Sequence, residues 1–71
     1  MILEYLYLEY SRTKWAYFNL NRVRYKFGGE EKCRKELNDL FHEGKIKRVD
    51  GINGYLIQLL TDIEGKEIIM P

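Results

Sequence analysis

Between Glu30 and Leu60 the apolar period changes once, from helical to extended, across a single glycine, and this limits the folds open to the chain. Cys33, Leu37, Leu40 and Phe41 recur at the spacing of one helical face. Gly44 ends that helix, because a residue without Cβ adopts the left-handed conformation cheaply. Ile46 and Val49, interleaved with Lys47 and Arg48, then open an extended segment. The chain turns at Asp50-Gly51 or at Asn53-Gly54 and returns as Tyr55 to Leu60. The strands are expected near Lys45 to Val49 and Tyr55 to Leu60. Ile46 directly follows the glycine stop and is expected to pack on Leu37 and Leu40.

At 71 residues there is room for one domain, near the lower size limit for a self-sufficient core. Apolar residues make up 45% of the chain and aromatics 14%, which argues against disorder. A lone cysteine excludes an internal disulfide and any multi-cysteine zinc site, and one histidine leaves no histidine-rich metal centre. No metal or cofactor is expected, and a reducing, cytoplasmic setting fits. No apolar run approaches the roughly 20 residues needed to span a bilayer, and the N-terminus lacks the marks of a signal peptide.

Met1 to Tyr10 satisfies two periods at once. Ile2, Leu3, Leu6 and Tyr10 fit a helical face, whereas Leu6, Leu8 and Tyr10 alternate with Tyr7 and Glu9 as in a strand. Helix is the reading adopted, because it supplies a third wall for the core. Ser11 to Thr13 is expected to break it, and Trp15 to Phe18 to form a short extended segment pairing with the hairpin. Asn19 is an N-cap candidate, followed by a short helix with Leu20, Val23 and Phe27 on one side, ending at Gly28-Gly29. Glu30 and Glu31 open the next helix at the positive end of its dipole, and Glu31 is placed to pair with Lys35. Beyond the hairpin, Glu64-Gly65-Lys66 signals a turn, with a further short strand expected at Ile68, Ile69 and Met70.

Net charge is only +1, but it is unevenly distributed. From Arg12 to Arg48, eleven Lys and Arg stand against five Asp and Glu, a net of +6; the remaining residues carry a net of −5. A solvated pair of helices would account for such lysines. The coincidence of the positive block with the two helices and the first hairpin strand favours a phosphate-facing surface.

With these parts in order, the chain from about Ile2 to Leu60 resembles the winged helix-turn-helix superfamily of DNA-binding domains. The residues that carry the resemblance are Leu20-Asn21-Arg22-Val23 opening the second helix and Gly28-Gly29 as the turn. They continue with Lys32 to Leu40 as the recognition helix and Glu43-Gly44-Lys45-Ile46 leading into the wing. The resemblance implies an α+β fold of three helices with a C-terminal hairpin wing. It also implies a small cytoplasmic regulator of transcription that binds duplex DNA, with the third helix in the major groove and the wing along the backbone. Carried over by position, Glu31, Lys32, Arg34 and Lys35 lie on the groove-facing side. Lys47 and Arg48 on the wing and Asn53 at its tip reach phosphates, and Arg22 and Arg24 add contacts from the second helix. The chain departs from the family pattern at Glu30 and Glu31, where small hydroxyl or amide side chains are common. Two carboxylates there also suit the alternative reading, a winged-helix protein-interaction module without DNA.

No catalytic set emerges. His42 near a helix end is the ordinary partner of a C-terminal dipole, and Cys33 on an apolar face is an inert core thiol. Phe27-Gly28-Gly29-Glu30 lacks the spacing and the lysine of a phosphate loop. Trp15 is expected to pack between the first helix and the hairpin rather than stack on bases. Tyr5, Tyr7 and Leu8 exceed what one helix face buries, and a homodimer seam through them is expected.

Overall fold

The computed structural model describes residues 1–68. Among them three helices and three strands run in the order α1 (Ile2–Thr13), β1 (Tyr17–Asn19), α2 (Leu20–Lys26), α3 (Glu30–His42), β2 (Ile46–Gly51) and β3 (Gly54–Leu59). The strands form one antiparallel sheet in the order β1-β3-β2, so the fold is a small α+β domain with helices packed on one sheet face. Ile2, Leu3 and Leu6 of α1, Leu20 and Val23 of α2, and Cys33, Leu37 and Leu40 of α3 are buried together with Ile46, Ile57 and Leu59. Ile46 thus shares a core with Leu37 and Leu40.

Helical spacing resolves the ambiguity of the first ten residues, since Ile2, Leu3 and Leu6 all point inward while Leu8 is exposed. The helix does not break at Ser11 as expected. Glu9 holds the last turn instead: its carboxylate pairs with Arg12 at 3.0 Å and its carbonyl accepts the Thr13 hydroxyl at 2.9 Å. Lys14 then turns the chain with φ +61°. At the other end, the Ile2 N–H donates to the Glu36 carboxylate at 2.8 Å, satisfying one free amide of α1 and tying it to α3.

Trp15 is a correction. It is 64% exposed and lies against Tyr17, ring centroids 5.5 Å apart; it does not sit between α1 and the hairpin. The inward place belongs to Ala16, fully buried, whose carbonyl accepts the Leu59 N–H at 2.8 Å. Extended chain alternates its side chains, so burying Ala16 turns Trp15 and Tyr17 outward whatever their size.

Asn19 caps α2 as expected, its side-chain oxygen accepting the Arg22 N–H at 3.0 Å. Asn19→Ala should therefore cost about 1 kcal/mol, read as a lower urea midpoint with an unchanged slope. After α2 the chain turns through Gly28 and Gly29, at φ +96° and +102°. The buried Cys33 thiol faces the Arg24 and Phe27 carbonyls at 3.6 and 3.7 Å, which gives it a structural place at the end of α2.

Gly44, at φ +72°, closes α3 as the sequence predicts. Its N–H donates to the Phe41 carbonyl at 3.2 Å and that of Lys45 to Leu40 at 3.0 Å, the pair of bonds of a Schellman stop. The hairpin strands end later and begin earlier than expected, leaving only Ile52-Asn53 as the connection, with Gly51 opposite Gly54. A Cβ on Gly51 would meet the Gly54 carbonyl oxygen at 2.8 Å, so this close approach requires glycine. Beyond β3, the Asp62 carboxylate accepts the Glu64 and Lys66 amides, both at 2.9 Å, and fixes the turn at Gly65. Thr61 bridges Glu67, and the Ile68 N–H reaches the Leu60 carbonyl. The strand expected at Ile68 to Met70 lies, for Ile69 and Met70, outside the described residues. No helix among the described residues is long and apolar enough to cross a membrane.

Candidate nucleic-acid interface

Side-chain direction divides the basic residues singled out from the sequence. Positions two apart on a helix point to nearly opposite sides, and neighbours on a strand point to opposite faces. Arg22 therefore turns toward α1 and β1, in a groove with Tyr5, Glu9 and Tyr17. Arg24 turns toward α3. Lys47 stands opposite Gln58, whereas Arg48 stands opposite the fully buried Ile57, on the sheet face that carries the helices. Lys32 lays its aliphatic stem across Gly28, where a Cβ would lie 2.7 Å from its Cδ. Asn53 is exposed at the hairpin tip, beside a fully exposed Ile52.

Three of these residues meet. Arg24 of α2, Arg34 of α3 and Arg48 of β2 line one cleft of about 210 Å³ between the helices and the hairpin. Leu20, Leu37 and Phe41 give it an apolar floor, and Asn38 and Glu30 complete its wall. Arg24 is held at its edge, with Nη2 3.9 Å from Glu30 and Nη1 3.5 Å from the Asn21 side-chain oxygen. Its Nε is enclosed and has no hydrogen-bond partner among the described residues. The Arg48 guanidinium lies over the Tyr55 ring, 4.6 Å from the centroid.

On the solvent side of α3, Arg34, Lys35 and Asn38 are exposed in a row with Glu31, Asp39 and His42. The ion pairs there differ from the expected Glu31–Lys35 pair. Glu31 bonds Arg34 at 2.8 Å, and Lys35 bonds Asp39 at 3.0 Å. Asp39, through that hydrogen bond and its charge, holds the Lys35 ammonium above its ordinary pKa. Among the described residues no group of His, Cys, Asp and Glu is arranged to hold a metal.

Asn38 and Tyr55 carry weaker signals in the sequence. Asn38 lies one turn beyond Arg34 on the same helix face, and that spacing is its only mark. Tyr55 follows from the hairpin register alone, which places it on the same sheet face as Arg48. No protein-family model, curated protein or solved structure matches this chain.

Proposed function

We propose that the domain is a winged helix-turn-helix that binds duplex DNA, with α3 entering the major groove and the β2-β3 hairpin as its wing. The observation that carries this reading is the convergence of Arg24, Arg34 and Arg48 from three elements beside the exposed face of α3. Lys35 on that face and Lys32 beside the turn at Gly28 are point charges for phosphate, while the Arg34 fork, once it leaves Glu31, has the geometry to read a guanine edge. Asn53 at the hairpin tip adds hydrogen bonds to the backbone, whereas Arg22, turned toward α1 and β1, and Lys47, on the sheet face opposite Arg48, stand away from that surface. A role as a small regulator of transcription is part of the same proposal.

Affinity for random duplex should fall steeply with salt, because each neutralised phosphate releases a counterion. Neutralising Lys32 and Lys35 together should weaken binding to every sequence and reduce the magnitude of the salt slope by about two, roughly one for each phosphate left without its cation. Arg34→Gln should instead change which sequence is preferred. Fluorescence anisotropy across a salt series reads all three. Absence of binding to random duplex at low salt sinks the proposal and leaves the protein-interaction reading, which the exposed carboxylates of Glu30 and Glu31 at the start of α3 favour.

Self-association through α1 belongs to the same proposal, since dimers of such domains read two half-sites. Leu8 is 67% exposed and Tyr7 is half-buried beside Tyr10, whereas Tyr5 is already engaged edge-on with Phe27. The seam therefore rests on Tyr7 and Leu8. The double variant Tyr7→Lys and Leu8→Lys should stay folded and sediment as a monomer. A wild-type mass of one chain at high micromolar concentration rejects the dimer.

A further inference from the structure

The cleft that carries the proposed DNA reading has a feature that reading does not need. Long-range steering by a basic surface works with solvated charges, yet here one arginine nitrogen is enclosed and unpaired. The Nε of Arg24 is shut off from solvent without an acceptor, although its side chain as a whole keeps 29% exposure. A buried donor without a partner is costly, and an anion drawn into the cleft recovers that cost once the guanidinium turns to meet it. Three guanidiniums and the Glu30 carboxylate give the lining a net charge of +2, and Glu31, outside the lining, holds Arg34 at 2.8 Å and brings the surplus to +1. The floor of Leu20, Leu37 and Phe41 keeps the local dielectric low, which strengthens charge-assisted bonds at that point. Arg48 has no carboxylate partner among the described residues and rests on the Tyr55 ring, which fixes its plane and leaves its N–H edge free to donate.

We infer that the Arg24–Arg34–Arg48 cleft is a discrete seat for one phosphate-like oxyanion, held by the guanidiniums of Arg24, Arg34 and Arg48, with the Asn38 amide as a further donor. A tetrahedral group matches this set, because its oxygens point in separate directions and the arginines arrive from three elements. The same chemistry has two sources, a phosphate of a duplex backbone or a free phosphate-bearing molecule. The seat rests on the geometry of the cleft and stands or falls separately from DNA binding.

The test uses the full chain at constant ionic strength, titrated with inorganic phosphate against a chloride control, and follows the arginine Nε–H resonances. A saturating shift is expected at Arg24, with no comparable change at Arg12, which is exposed and paired with Glu9. Arg48→Gln, followed at Arg24, and Arg24→Gln, followed at Arg48, should each weaken phosphate by about tenfold or more, as the loss of a charge-assisted bond does, and Arg48→Lys should retain part of the affinity. Arg48 lies on an exposed strand position, so its variants remain folded even if Arg24→Gln does not. A shift that rises without saturation, or one equal at Arg12 and Arg24, overturns the seat.

Random duplex then separates the sources. If duplex displaces phosphate from Arg24, the seat serves the nucleic-acid backbone; if phosphate saturates while duplex fails to bind or binds alongside it, the seat takes a free anion. Duplex binding with no saturable phosphate shift overturns the seat and leaves the DNA reading intact.

Discussion

Truncating Ile57 to alanine should remove about 2–5 kcal/mol of stability, the range for emptying a fully buried aliphatic site. A chain of 71 residues has roughly 4–10 kcal/mol in total, so one truncation leaves a large unfolded fraction at physiological temperature. Ile57 is the site of greatest effect for a topological reason. β3 is the middle strand, and Ile57 faces Phe18 of β1 on one side and Arg48 of β2 on the other while pointing into the helices at zero exposure. Relaxation around the cavity would have to move both outer strands, so little of the emptied volume can be refilled. Ile52→Ala at the hairpin tip removes the same atoms from a fully exposed side chain and should change stability by no more than about 0.5 kcal/mol. Urea unfolding of the two variants measures the contrast. Equal midpoints for Ile57→Ala and Ile52→Ala would falsify the inward orientation of β3.

The hairpin and its glycine stop are legible in the sequence because local chemistry decides them. Gly44 must take a left-handed conformation, and the apolar period changes across it, so neither statement needs the rest of the fold. α1 is less legible, since tyrosines and leucines at alternate and helical spacings satisfy both periods. Only the docking of Ile2, Leu3 and Leu6 on the core separates them. Trp15 misleads because its size suggests burial while parity decides its side. In extended chain the side is set by the register of a neighbour, here Ala16 against Leu59, and a large ring goes wherever that register sends it. The separation of Lys47 from Arg48 is readable from alternation with Ile46. The cleft is not, because Arg24, Arg34 and Arg48 meet only through the packing of α2, α3 and the sheet.

Replacing both Glu30 and Glu31 with glutamine should tighten duplex binding about tenfold at low salt, with the gain shrinking as salt screens it. The two carboxylates stand at the start of α3, where the proposed groove contact brings phosphates close and like charges repel. They also occupy the cations that would do the binding. Glu31 holds Arg34 at 2.8 Å and Glu30 lies 3.9 Å from Arg24, so the neutral variants release two guanidiniums as well as removing two negative charges. The same change works against the fold, since carboxylates in the first turn stabilise the positive end of the helix dipole. Binding should therefore strengthen while the thermal midpoint falls by a few degrees, and that opposition is the signature of charges retained for stability or for another partner. Singly, Glu31→Gln should act chiefly on sequence preference by freeing Arg34, and Glu30→Gln on affinity for any phosphate by freeing Arg24. Unchanged duplex affinity in the double variant, with the lower midpoint still seen, would remove α3 from the DNA contact.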